Sequence, residues 1–195
     1  VDIWLLPDAV PAWVTEKAVA ASEHAKPVSR EGAGPGSLTD EGLRYSVLDG
    51  HGVLVRAPDI QYWVQMNVPA LASAVVGEPL CISPDVRTAI NVNLVDGIGG
   101  SYEWHTDPCP WSALIFCTAH KIGGGWEANP DDVTKVSIRP EAGSLLVFRG
   151  SIPHYVQPLL TDERRVSIPI ALYPLGTTSI ERDPELDAHI FGETT

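Results

Sequence analysis

With 195 residues, 44% of them hydrophobic and 19% charged, the chain can build one well-cored domain, is too short for two, and is not a disordered polymer. Its 13 Lys+Arg stand against 25 Asp+Glu, a net charge of -12, and no basic run interrupts the excess, which excludes nucleic acid as the expected partner. No apolar stretch approaches the roughly 20 residues of a membrane span, and the first residues, VDIWLLPDAVP, lack both a secretory signal pattern and an initiator Met. The expectation is a cytoplasmic protein of unassigned oligomeric state, with residue 1 left open as a native or a processed start. Cys81, Cys109 and Cys117 are odd in number and lack CxxC spacing, so they read as reduced thiols.

Along the chain, residues 12–25 (AWVTEKAVAASEHA) carry Trp13, Val14, Ala18 and Ala21 at helical spacing after Pro11. Residues 29–42 are rich in Gly, Pro and Ser and read as a loop, part of a lid. Asp49-Gly50 between residues 43–48 and 52–56 predicts a hairpin turn. Residues 59–76 predict a second helix, interrupted near Pro69 and stopped by Gly77. From Pro79 the texture changes to short β-rich runs between turns: 88–95, 101–105, 113–118, 125–128, 133–138, 144–148, 152–156 and 166–173. The whole predicts a single, mainly β domain over 1–195: helical support and loop over 1–78, a jelly-roll core over 79–175, and a polar tail over 176–195 that wraps the surface or frays.

The segment Tyr102-Glu103-Trp104-His105-Thr106-Asp107-Pro108 is the most informative. Residues two apart on a strand share a face, so His105 and Asp107 project together as an imidazole and a carboxylate. Such a pair, completed by a third ligand from another strand, leaves open positions on a divalent iron. His154, in SIPHYVQP, is the best candidate for the third. In Arg164-Arg165-Val166-Ser167-Ile168-Pro169-Ile170, Arg165 and Ser167 share the face opposite Val166, Ile168 and Ile170. A guanidinium beside a hydroxyl suits the distal carboxylate of a dicarboxylic acid. A slip of one residue would put Arg164 there instead.

The order HxD, then Gly123-Gly124-Gly125, then Pro140-Glu141-Ala142-Gly143-Ser144-Leu145-Leu146-Val147-Phe148, then His154, then Arg165-x-Ser167, resembles the Fe(II)/2-oxoglutarate-dependent dioxygenases. The similarity is to the compact prolyl-hydroxylase-like branch and covers about residues 88–173. It implies a double-stranded β-helix (a cupin-like jelly roll) with supporting N-terminal α-helices. It also implies Fe(II) on His105, Asp107 and His154, and 2-oxoglutarate held by Arg165 and Ser167. O2 would be the oxidant and ascorbate an activator. The reaction implied is hydroxylation of an unactivated C–H bond, with release of succinate and CO2. The chain departs from the pattern in having Asp162-Glu163-Arg164 where Gly often precedes the arginine. Asp107 argues for hydroxylation and against halogenation, which uses a small residue at that position.

Asn93 and Val156 are further candidates to touch the co-substrate. Asn91, Tyr102, Trp104, Trp126 and Arg149 are candidates to line a substrate pocket. His24, His51, His120 and His189 have no partner at ligand spacing and read as non-catalytic. The expected partner is a small organic substrate, an amino acid or biosynthetic intermediate. Alternatives are a peptide-borne residue such as proline, desaturation or cyclisation by the same chemistry, a non-catalytic metal-binding cupin-like module, and a carbohydrate-binding sandwich. A cupin would show a His-x-His pair and a Glu, and this chain shows neither in that spacing.

Overall fold

The computed structural model describes residues 2–30, 38, 42–131, 133–181 and 183–191; the rest of the expected lid segment lies outside the described residues. After strand β1 (Ile3–Leu6), helix α1 (Ala12–Ser22) begins behind Pro11 and buries Val14, Ala18 and Ala21. Trp13 faces outward, 40% exposed, because it lies off that stripe. β2 (Lys26–Arg30) pairs with β3 (Leu43–Leu48), so residues 1–78 supply three strands as well as helices.

The expected hairpin at Asp49-Gly50 is a helix start. α2 (Gly50–Arg56) is capped by Asp49, whose side chain accepts from the Gly52 amide at 2.9 Å. Gly50 serves close approach here: a Cβ would sit 1.7 Å from the carbonyl oxygen of Val86, which opens the short helix α4 (Val86–Ala89). α4 likewise replaces the first residues of the strand expected from 88. α3 (Pro58–Val76) runs unbroken through Pro69, burying Ile60, Val64, Val68 and Ala72 at spacings of four. Burial of that stripe outweighs the single backbone hydrogen bond that proline removes. Gly77, at φ 84°, ends it in the left-handed conformation, its N–H donating to Ser73 O.

The remaining strands are β4 (Leu80–Ile82), β5 (Val92–Asp96), β6 (Ser101–His105), β7 (Trp111–Phe116), β8 (Trp126–Ala128), β9 (Val136–Ile138), β10 (Leu145–Arg149), β11 (His154–Val156) and β12 (Arg164–Pro174). All pairings are antiparallel, in the order β1-β10-β7-β12-β5-β3-β6-β11-β8-β9, with β2 added on β3 and β4 on β12. From β5 onward the chain passes back and forth between β10-β7-β12-β5 and β6-β11-β8-β9. That alternation makes a double-stranded β-helix, closed on one side by β3, which pairs with both β5 and β6.

Both faces of β10-β7-β12-β5 are buried, which is why its strands read as nearly continuous apolar runs. Ala113, Ile115, Leu145, Val147, Ile168 and Ile170 pack outward against α1 and α3. Leu114, Phe116, Leu146 and Phe148 point inward with Trp126 and Ala128. Period-two alternation thus sorts each strand into a helix-facing and an interior-facing set. The tail does not fray throughout: α5 (Pro184–Phe191) docks on the molecule. No helix among the described residues is long and apolar enough to cross a membrane.

Gly50→Ala should lower the free energy of unfolding by about 3 kcal/mol through overpacking against α4. Gly77→Ala, with nothing within 4 Å of its added methyl, should lose only about 1 kcal/mol from backbone strain. Urea denaturation of the two variants tests that ranking.

Candidate metal centre

β6 and β11 lie side by side with His105 opposite His154 and Tyr102 opposite Val156. Glu103 and Trp104 together face the single residue Tyr155, so β6 carries a bulge. The bulge resets the alternation: Tyr102, three residues before His105, also turns inward, its ring 4.4 Å from that imidazole. Trp104 turns outward and stacks on Tyr155 at 4.3 Å.

Asp107 lies two residues past the end of β6. Its amide donates to Gly150 O at 2.8 Å, and Gly150 N donates to Pro110 O at 3.1 Å, pinning this loop to the turn before His154. Only glycine permits the approach, since a Cβ on Gly150 would stand 2.0 Å from the carbonyl oxygen of Cys109.

One ligand atom each from His105, Asp107 and His154 falls within a 4.8 Å cluster. Nε2 of His105 is 3.6 Å from Oδ1 of Asp107, and Nε2 of His154 is 3.8 Å from Oδ2. Each imidazole is oriented by the same device: Nδ1 of His105 donates to Glu103 O at 2.7 Å, and Nδ1 of His154 to Ile152 O at 2.9 Å. A proton fixed on Nδ1 leaves Nε2 as a lone pair facing the carboxylate. Burial, reinforced by the neighbouring His154, pushes His105 down to about 3, so its ring is neutral at ordinary pH. Two imidazole nitrogens and a carboxylate oxygen on one wall of a cavity could hold a divalent transition metal.

Across the same cavity, β12 turns Arg165 and Ser167 inward, both 2% exposed. Nη1 of Arg165 donates to Ser167 Oγ at 3.2 Å and Nε to Gly124 O at 3.0 Å. This explains the glycine run: Gly123 and Gly124 take positive φ, and a Cβ on Gly123 would stand 2.3 Å from Pro158 O. The turn thereby brings a carbonyl against the guanidinium. Nη2 of Arg165 is buried without a partner, and no carboxylate among the described residues pairs with it. Burial pulls the group down to about 10, still charged at neutral pH. Arg164 is a surface residue, bridged to Glu23 and lying 3.5 Å from Asp96.

Three other cavity residues also hold unpartnered buried polar atoms: Oδ1 of Asn91, Oδ1 of Asn93 and Nε1 of Trp126. Buried polar groups are ordinarily satisfied, so orphans converging on one cavity mark a place for a polar ligand. Val156 and Tyr102 line it too, whereas Trp104 and Arg149 do not. Arg149 lies over Trp111 and pairs with Asp2. His120 is held by Thr118 and Glu163 behind the Arg165 wall.

Sequence reading missed the outer wall. Leu186, Ile190 and Phe191 of α5 line the mouth with Tyr173. Its anchor is polar: His189, 2% exposed, places Nε2 2.9 Å from Glu103 and Nδ1 3.0 Å from Arg30. Tyr45 Oη donates to Ile190 O, and Arg87 lies 4.3 Å over the Phe191 ring. The 186/190 spacing of apolar residues was the signal available, in a tail whose polarity masked it.

No known family model and no curated protein matches the chain. Solved structures do. The chain is similar to the epimerase SnoN of nogalamycin biosynthesis, in complex with Fe3+, alpha ketoglutarate and nogalamycin RO, at TM-score 0.67 and 15% identity over 94% of this chain and 86% of that one. It is similar to a 2OG-Fe(II) oxygenase family oxidoreductase of Burkholderia pseudomallei, at TM-score 0.65 and 14% identity over 88% and 85%. The chain has the fold of the 2OG-Fe(II) oxygenases. A prolyl-4-hydroxylase of Pseudomonas putida shares the oxygenase fold at TM-score 0.62 and 17% identity, over 89% and 92% of the two chains.

Gly150→Ala should displace the Asp107 loop and weaken Co(II) or Ni(II) binding about tenfold or more in a folded protein, read by calorimetric titration. Unchanged affinity would mean that the pinned loop does not set the site. His189→Ala should speed amide exchange over 184–191 about tenfold while that of β7 and β12 stays unchanged, because α5 loses its buried anchor.

Proposed function

We propose that the protein is an Fe(II)- and 2-oxoglutarate-dependent oxygenase that hydroxylates an unactivated C–H bond of a small organic substrate. The observation carrying this reading is a His/Asp/His cluster and a buried arginine with an unsatisfied nitrogen on facing walls of one cavity. The fold shared with SnoN, which was crystallised with Fe3+ and alpha ketoglutarate, supports it.

In this reading His105, Asp107 and His154 hold the iron, which supplies activation of O2 coupled to oxidative decarboxylation of 2-oxoglutarate to succinate and CO2. Arg165 receives the distal carboxylate of 2-oxoglutarate on Nη2, and Ser167 fixes the guanidinium plane from Nη1. Charge-assisted bonds to a fork are directional, so the dicarboxylate is presented with one end to the arginine and the other to the metal wall. Asn93 and Val156 flank that site. Leu114, Trp126 and Phe148 exclude water from the reacting end. Asn91 and Tyr102 border the remaining space for substrate.

Leu186, Ile190 and Phe191 give the cavity mouth an apolar rim, which favours a compact organic substrate. Likeness to the P. putida prolyl-4-hydroxylase keeps a peptide-borne proline as the second reading. A cupin-like binding module gives no role to a buried, unneutralised Arg165.

Anaerobically purified protein given Fe(II), ascorbate, 2-oxoglutarate and O2 should release succinate, slowly and uncoupled without substrate. No succinate across a panel of amino acids, small biosynthetic intermediates and prolyl peptides, together with no iron bound, would falsify the proposal. Arg165→Ala should raise the 2-oxoglutarate concentration required by roughly 30-fold or more, the loss of a buried charged pair. Arg164→Ala should change it by less than about threefold, as a surface ion pair predicts.

A further inference from the structure

Ser112 stands on β7 at an interior-facing position, 4% exposed, in register with Phe148 on one neighbour and Ala171 on the other. Its Oγ lies 2.5 Å from Oδ2 of Asp107 and 3.2 Å from Sγ of Cys109. An ionised carboxylate can only accept, so the one hydroxyl hydrogen belongs to Asp107. The thiol must then donate to Ser112 Oγ, and the chain of donors runs Cys109 to Ser112 to Asp107.

We infer that Ser112 is a positioning residue that fixes the carboxylate plane of Asp107 for metal coordination. The inference rests on reading His105, Asp107 and His154 as the iron site. The need for it follows from the backbone. Both histidines are oriented by carbonyls two residues earlier in their own segments, at Glu103 and Ile152. Asp107 lies past the end of its strand, its side chain is 26% exposed, and the terminal torsion of an aspartate is broad. Without a fixed donor the carboxylate would rotate and exchange partners with water. Ser112 supplies that donor from β7, in the sheet opposite the two histidines, so one hydrogen bond also ties the two layers together at the metal.

The test is Co(II) binding to the purified full chain, by calorimetric titration and visible Co(II) absorption, in wild type, Ser112→Ala, Ser112→Thr and Cys117→Ala. Ser112→Ala should weaken Co(II) about 10- to 100-fold, as loss of an outer-shell partner does, and change the absorption bands. Ser112→Thr, which keeps the hydroxyl, should recover most of the affinity. Cys117→Ala truncates a buried residue of the helix-facing core, so it should lower Tm yet leave Co(II) affinity unchanged. Wild-type affinity and bands in Ser112→Ala would overturn the inference while leaving the metal site standing. A Cys117→Ala loss equal to that of Ser112→Ala would also overturn it, by tracing the effect to general destabilisation. Failure of the wild type to bind Co(II) would overturn the iron-site reading itself.

Discussion

A guanidinium 2% exposed, with one nitrogen unpaired and no carboxylate beside it among the described residues, is the constraint that organises this molecule. A buried charge is tolerated only where hydrogen bonds or an opposite charge compensate it. Here the protein supplies part of the compensation through Ser167 and the Gly124 carbonyl, and the cavity is shaped to receive the rest. The glycine turn brings its carbonyl to that cation, and the Phe116 ring lies 5.7 Å from it.

The metal cluster is assembled by a different economy, with backbone groups doing the orienting. Two histidine rings are locked by carbonyls two residues behind them, and a β6 bulge brings Tyr102 against His105. Asp107, lying outside the ladder, is held instead by Gly150 through its amide and by Ser112 through its side chain. Three candidate ligands are thus fixed by backbone carbonyls, by the Gly150 contact and by the Ser112 hydroxyl, drawn from both layers of the β-helix. Such preorganisation allows a site to bind metal without rearranging first.

α5 gives the cavity an unusual wall. Polar contacts hold it, His189 beside Glu103 and Arg30 and Tyr45 to the Ile190 carbonyl, while Phe191 also packs on the core cluster of Val28, Leu43 and Tyr45. Glu103 sits in the β6 bulge two residues before His105, so the wall and the metal strand share a contact. α5 thus adds Leu186, Ile190 and Phe191, from outside the motif-bearing segment 88–173, to a cavity that Asn91 and Tyr102 also line.

Much of the site is legible in local chemistry. Strand alternation alone put Arg165 and Ser167 on one face and Val166, Ile168 and Ile170 on the other, because a period of two leaves no intermediate choice. The same rule put His105 and Asp107 on one face, but Asp107 lies two residues past β6 and reaches His105 through the loop pinned to Gly150. Where a residue had more than one use, sequence was insufficient. Asp49-Gly50 is as good a helix start as a turn, and the contact with α4 decided it; Pro69 was carried by the burial of its helix stripe. Trp104 and Arg149 left the cavity because a bulge and a surface ion pair lie outside any local pattern. Only tertiary structure could show that Ser112 from β7 meets Asp107 and that the tail forms a wall, since both contacts join residues whose neighbours in the chain say nothing about them. The sequence by itself determined which side chains share a face; the packing of two sheets and α5 decided which faces meet.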